Sequence, residues 1–217
     1  MRWTPQKKDV LEALAADILH NYSRGRVIVA VDGVDGAGKS HFAADLVDAL
    51  EKAGHAAFLA SIDGFHRPRA DRYAQGEDSP RGFYEDSYDY STFRRVLVEP
   101  FRLGGSTAFV TAAFDHRADA QVEPKWLTAP ADAILVVEGI FLHRPELRGL
   151  WNYSIWLDVP TDVAEKRLVD RDGPSGVGPR YTGGQKLYGK EKPSTRATAI
   201  IDNSDFDHPR RVFADSC

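Results

Sequence analysis

Apolar positions in the first quarter of the chain follow a helix–strand–helix–strand rhythm. Val10, Leu11, Leu14, Ala15 and Ile18 fall on one face of a 3.6-residue period, which predicts an amphipathic helix over 7–19. Gly25 closes the next loop. Val27 to Val31 is a short, continuous, β-branched run, the pattern of a strand buried on both faces. Phe42, Leu46 and Leu50 then repeat every fourth residue, with Ala43 and Val47 beside them. Gly54 stands where a helix C-terminal cap belongs. Residues 56–62 read as a second strand.

The rhythm breaks over residues 63–90. They lack helical periodicity and are rich in Gly, Pro, acids and aromatics, among them Phe65, Tyr73, Phe83, Tyr84, Tyr88 and Tyr90. A loop of that length inside a compact domain is usually functional or mobile. Ser91 can cap a helix carrying Phe93, Val96, Leu97 and Phe101, which Gly104 and Gly105 stop. Strands are expected at 107–114, 134–137, 153–159 and 197–201, and a helix from Thr161 through Val163, Arg167 and Leu168. Alternating strands and helices predict an α/β fold, a mostly parallel central sheet flanked by helices on both faces. No linker is evident. The expectation is one domain over 1–217, with 63–130 an excursion over the sheet and 166–196 a lid.

Composition leaves this picture intact. The chain has 217 residues, 42% hydrophobic and 28% charged, an ordinary globular balance. The net charge of −4 gives no pointer to nucleic acid or an anionic membrane. The single cysteine, Cys217, cannot form an internal disulfide. Met1 to Val10 is polar, without the apolar core of a secretory signal, and no run approaches a membrane span. A soluble cytoplasmic protein is expected, with no nucleic-acid or membrane partner; a homo-oligomer stays open.

Chemistry enters at Gly33-Val34-Asp35-Gly36-Ala37-Gly38-Lys39-Ser40, which matches G-x-x-x-x-G-K-S. Such a loop turns its backbone N–H groups inward on phosphate oxygens. Lys39 adds positive charge near the β- and γ-phosphates, and the Ser40 hydroxyl can ligate Mg²⁺. The following helix, entered through His41, aims its positive end at the same anion. A preceding buried strand and a following amphipathic helix set this loop apart from a structural glycine turn. The nucleotide-binding set is therefore Gly33, Asp35, Gly36, Ala37, Gly38, Lys39, Ser40 and His41.

The class of P-loop protein rests on the rest of the chain. A GTPase switch would usually carry N-K-x-D, which is not in the sequence. Tyr181-Thr182-Gly183-Gly184-Gln185 looks like a transporter signature but follows the apolar strand that ends in Glu138 instead of preceding it. The remaining large class transfers the γ-phosphoryl group to a small hydroxyl. Ser61-Ile62-Asp63-Gly64-Phe65-His66, Ile134-Leu135-Val136-Val137-Glu138-Gly139 and Ile200-Ile201-Asp202-Asn203 follow in the order that such enzymes use. Over about residues 26–210 the chain resembles the phosphoribulokinase/uridine kinase family. Uridine kinases tend to read D-x-F-Y where this chain has Asp63-Gly64-Phe65-His66, and their Y-D-F with a later His and Arg is compressed to Phe114-Asp115-His116-Arg117. Residues 81–89, Arg-Gly-Phe-Tyr-Glu-Asp-Ser-Tyr-Asp, resemble a segment of bacterial pantothenate kinases.

The resemblance implies that Asp63 takes the proton from the attacking hydroxyl, as in-line phosphoryl transfer requires of a positioned carboxylate. Glu138, ending a buried strand, is expected to hold Mg²⁺ beside Ser40. Residues 166–196 hold eight Lys or Arg against three acids, interrupted by Gly and Pro. That suits a lid over the phosphates, with Arg167 and Arg171, one helical turn apart, stabilising transferred charge alongside Lys39. His66, Tyr84, Asp115, His116 and Arg117 are the substrate-pocket candidates. The expected activity is ATP- and Mg²⁺-dependent phosphorylation of a nucleoside-like small molecule. The alternatives are the same chemistry on pantothenate, a sugar or another small alcohol, and a regulatory nucleotide-binding module.

Overall fold

A computed structural model describes residues 5–22 and 24–212; Cys217 lies outside them. In chain order the elements begin α1 (Lys7–Asn21), β1 (Val27–Gly33), α2 (Lys39–Lys52) and β2 (Ala57–Ser61). An excursion follows: α3 (Arg69–Arg72), α4 (Pro80–Asp86), α5 (Tyr90–Phe93), α6 (Glu99–Leu103) and the two-residue strands β3 (Phe114–Asp115) and β4 (Ala120–Gln121). The chain then returns through β5 (Ile134–Glu138), β6 (Tyr153–Asp158), α7 (Thr161–Asp172), α8 (Pro179–Gly189), β7 (Ala199–Asp202) and β8 (Arg210–Val212).

The main sheet has the order β2-β5-β1-β6-β7-β8. Every pairing is parallel except β7 with β8. The continuous apolar run of β1 is explained by its central place: all seven of its residues are buried. Its alternate residues serve two cores. Val27, Val29 and Val31 pack with α1 and α2, whereas Ile28 and Ala30 pack with the excursion helices. The parallel sheet covered on both faces is as the apolar pattern predicts, with one antiparallel edge strand added.

Four local expectations need correction. The segment 63–90 is not one long loop: it folds as a 3₁₀ turn at Ile62–Phe65 and the helices α3 and α4, too short to display a period. The helix expected from Ser91 is capped by Asp89, whose carboxylate accepts from the Thr92 N–H at 2.9 Å and from its hydroxyl at 2.7 Å. A π-helical turn at Arg94–Val98 joins α5 to α6. Pro100 has no N–H to offer the Val96 carbonyl, and the Val110 N–H takes that acceptor at 3.0 Å. Finally, 107–113 forms no strand; it makes only the bridge Phe109–Leu127 before β3 begins.

Residues 173–196 are largely helical. α8 lies along α4, and two helical glycines make that approach close. A Cβ on Gly183 would sit 2.6 Å from Pro80 Cγ, and one on Gly184 would sit 2.5 Å from Phe83 Cδ1. The Gly183-Gly184 pair is therefore a packing device.

Candidate active site

The parallel strands end on one edge, where open α/β sheets bind their ligands. β1 leads into the glycine loop and α2 leaves it. Gly36 has φ +79°, and a Cβ there would lie 2.4 Å from the Ala164 carbonyl oxygen. Gly38, at φ +87°, is the left-handed N-cap of α2, and its Cβ would meet the Phe206 ring at 2.5 Å. Both positions exclude a side chain, leaving backbone N–H groups to face the loop's concave side. Lys39 is buried and donates from Nζ to the Val34 carbonyl at 2.8 Å, so its ammonium spans the loop.

The root of the loop is anchored from beneath. Asp32, fully buried, accepts from the Gly33 N–H at 2.7 Å through Oδ1. Its Oδ2 accepts from His143 Nδ1 at 2.7 Å, from the His143 N–H at 3.0 Å and from the Tyr188 hydroxyl. Burial, then the charge of Asp32, push the Tyr188 phenol far up, so it stays a donor. This network ties α8 to β1.

Two carboxylates flank the loop's mouth. Ser61 pairs in register with Glu138. Asp63 follows Ser61 in the 3₁₀ turn, where Ser61 Oγ accepts its N–H at 3.2 Å. Asp63 is exposed, and its Oδ1 accepts from the Tyr88 hydroxyl at 2.9 Å. Burial and the negative charges of Asp63 and Asp35 raise the Tyr88 phenol well above its usual range. Glu138 is buried, and desolvation raises its carboxyl; hydrogen bonds from Ser61 and Ser40 and the charge of Lys39 pull the other way. Asp35 is likewise raised by desolvation against the pull of Lys39, and Gln185 Nε2 donates to it at 3.2 Å.

A cleft of about 660 Å³ opens in front of these groups. Asp35, Ser40, Asp63, His66, Arg117 and Arg171 all line it. His66 Nδ1 donates to the Asp63 carbonyl at 2.8 Å and its ring lies 4.6 Å from that of His116. Desolvation lowers the His66 pKa, partly offset by the charge of Asp63 and its backbone hydrogen bond.

The structure thus brings together Lys39, Ser40, Asp63, Glu138, Arg171, His66, His116 and Arg117. Three expected residues stand apart. Arg167 does not converge with Arg171. Its guanidinium lies 3.7 Å over the Phe206 ring and donates to the carbonyls of Gly36, Asn203 and Ser204 at 3.3, 3.0 and 2.8 Å. Tyr84 does not line the cleft; its hydroxyl donates to Glu191 and its ring lies under Arg144 at 4.1 Å. Asp115 structures the hairpin turn by accepting from the N–H groups of Arg117 and Ala118 at 2.8 and 3.2 Å. Conversely, sequence reasoning passed over Tyr88, Ser61, Arg72 and the Asp32–His143–Tyr188 network. Of these, only the capping serine two residues before Asp63 carries a local sequence signal.

Behind the loop a smaller cavity of about 190 Å³ is lined by Gly38, His41, Asn203 and Phe206, among others. Asn203, buried, donates from Nδ2 to the Ala37 carbonyl at 2.7 Å, and its Oδ1 has no partner among the described residues. No helix among the described residues is long and apolar enough to cross a membrane.

Known proteins resemble this chain in sequence and in fold. The uridine kinase of Leuconostoc citreum is 26% identical over 67% of this chain and 68% of its own length. That of Lactobacillus johnsonii is 28% identical over 69% of each. A solved structure described as a possible uridine kinase from Bacillus stearothermophilus superposes with a TM-score of 0.71, covering 89% of this chain and 98% of the other at 24% identity, a likeness of fold. Residues 28–176 match the Phosphoribulokinase / Uridine kinase family, and with the glycine loop and the strand-end carboxylates in place the chain belongs to that family of P-loop kinases.

Proposed function

We propose that this protein is an ATP- and Mg²⁺-dependent kinase that transfers the γ-phosphoryl group to a hydroxyl of a small molecule, with Asp63 as the general base. The observation that carries this reading is the place of Asp63. It is an exposed carboxylate at a strand end, lining the same cleft as Ser40 and Arg171 and oriented by the Tyr88 hydroxyl. In-line transfer needs a carboxylate that orients the attacking hydroxyl and accepts its proton. Tyr88, held neutral, fixes the rotamer of Asp63 without competing for that proton.

The donor set suits Mg²⁺: the Ser40 hydroxyl and the Glu138 carboxylate are hard oxygens in mutual contact. When bound, the ion would offset charge on the β- and γ-phosphates. The glycine loop and Lys39 would hold those phosphates, and Arg171, from α7, would meet charge developing on the transferred group. We assign the base of the nucleotide to the small cavity by His41, Asn203 and Phe206, which would give Arg167 a part in nucleotide binding and not in transfer.

For the acceptor, the relatives named uridine kinase favour a nucleoside-like molecule. The cleft favours another small alcohol. Of the rings of 83–90, Phe83 and Tyr88 line the cleft but are largely buried, at 7% and 3% exposed, with Phe83 packed edge-on to Phe141 and Tyr181 and the Tyr88 hydroxyl given to Asp63; Tyr84 lies under Arg144. ADP release over a panel of nucleosides, sugars, hydroxy acids and pantothenate tests the reading. Stimulation by one acceptor class supports it. ATP binding with no acceptor raising ADP release above the blank would instead make the protein a nucleotide-binding module.

A further inference from the structure

We infer that the acceptor is a small alcohol carrying an anionic group, a carboxylate or a phosphate, received by the guanidinium groups of Arg72, Arg117 and Arg180. The inference rests on the kinase reading above and narrows its substrate class.

All three arginines line the cleft that contains Asp63. None belongs to the glycine loop or to α7. Arg72 sits in α3, Arg117 in the β3–β4 turn and Arg180 in the first turn of α8. They are stitched into one wall: Arg180 Nη2 donates to the Arg72 carbonyl at 2.8 Å, and Arg72 Nη2 reaches the His116 carbonyl at 3.3 Å.

Their positive charge is poorly matched by the protein. Arg180 is 5% exposed and Arg72 is 8% exposed, where an uncompensated charge is costly. Arg180 Nη1 donates to the carbonyls of Gly76, Glu77 and Ser79 at 3.3 to 3.4 Å, and its guanidinium lies over the rings of Tyr73 and Phe83 at 4.4 and 5.7 Å, partners that carry no formal negative charge. Arg72 has one carboxylate neighbour, Asp119, at 3.4 Å, and Asp119 already accepts from the Arg69 N–H at 2.7 Å. Among the described residues Arg117 and Arg180 form no ion pair, and the Arg117 guanidinium makes no hydrogen bond. The acids of the cleft are chiefly engaged otherwise: Asp172 with Arg171 at 2.6 Å, feeling the charge of Arg117 only as its smallest influence, Asp63 with Tyr88, and Asp35 with Gln185 beside Lys39.

The triphosphate does not account for this wall, because the glycine loop, Lys39 and Arg171 already receive it. A carboxylate or phosphate on the acceptor would complete the wall with charge-assisted, fork-shaped contacts. A neutral nucleoside would leave it unmatched. Arg117, exposed on a hairpin turn, is the member free to close on such a group.

Matched acceptors that differ by the anionic group test this: glycerol against glycerate, panthenol against pantothenate, and ribose against ribose 5-phosphate. The last pair separates phosphate from carboxylate. The anionic member of at least one pair should exceed its neutral partner in kcat/KM by about 10- to 100-fold, the range of a charge-assisted contact. Arg117→Ala should bring that ratio close to one, mainly through KM, and Arg117→Lys should restore part of it. Equal or better turnover of the neutral members, or a ratio that survives Arg117→Ala, overturns the inference and leaves the kinase reading standing. If no acceptor is turned over, the kinase reading fails by itself. Calorimetry on enzyme loaded with a non-hydrolysable ATP analogue then decides: selective binding of an anionic member, lost in Arg117→Ala, supports the wall, and no binding overturns it.

Discussion

Replacing Gly184 by alanine separates a docked α8 from a free lid by the sign of its effect. Gly184 lies within α8, where a glycine costs about 1 kcal/mol relative to alanine. A detached helix should therefore gain up to about 1 kcal/mol from Gly184→Ala. In the docked arrangement the new Cβ would stand 2.5 Å from Phe83 Cδ1 and 3.2 Å from the Pro80 carbonyl oxygen. The Phe83 ring cannot easily retreat, being 7% exposed and wedged between Phe141 and Tyr181 at 5.3 and 5.0 Å. Overpacking of this kind costs about 1–3 kcal/mol, so the net expectation is a loss of about 1 kcal/mol. For a chain of this length that is a fall in Tm of about 2–4 °C. Gly189, in the same helix, has nothing within 4 Å of its would-be Cβ and serves as the control. Gly189→Ala should be neutral or stabilising. Urea and thermal unfolding of the three proteins give the comparison. If Gly184→Ala stabilises as much as Gly189→Ala, α8 does not rest on α4 and the anchoring of β1 through Tyr188 is refuted with it.

Three further outcomes follow from the site and the fold. Arg167→Ala should weaken ATP binding by about 10-fold, because the guanidinium stacks on Phe206 and holds the loop carbonyls. Arg171→Ala should instead lower kcat by about 10²-fold with ATP affinity largely kept, and steady-state kinetics showing the reverse division would contradict the assigned roles. Asp17 links stability to pH. The Tyr153 hydroxyl at 2.7 Å, opposed by partial burial and joined by Arg211, holds its carboxyl below the ordinary 3.8. Its contribution is therefore complete above that value and fades as pH falls through the lower folded one. Asp17→Asn should reduce the urea midpoint at pH 7 and narrow its gap from the parent below pH 4; a constant gap across that range would remove the linkage.

The parts of the fold legible in the sequence are those buried on both sides. β1 and β5 are central parallel strands, so they appear as unbroken apolar runs, and the glycine loop between β1 and α2 follows from chain geometry. The strand ends then locate Asp63 and Glu138, because neighbouring parallel strands terminate together. Legibility fails where the deciding contact is long-range or the element is short. Arg167 and Arg171 occupy adjacent turns of α7, but spacing does not reveal that carbonyls and the Phe206 ring capture one of them. Arg72 lies in a four-residue helix with no period to betray it. The capping role of Asp89 over Ser91 depends on which side chain reaches the Thr92 N–H. β8, with the sequence Arg-Arg-Val, is an exposed edge strand with no apolar pattern.

The central claim is that Asp63 turns a nucleotide-binding loop into a phosphotransferase. It is tested most directly by mass-resolved detection of phosphorylated acceptor for the parent and Asp63→Asn, with ATP binding measured in parallel. The account predicts a product heavier by one phosphoryl group with the parent. It predicts a rate reduced by about 10²–10⁴-fold with Asp63→Asn, while ATP affinity stays within a few-fold. An Asp63→Asn protein that phosphorylates the acceptor as fast as its parent would contradict it.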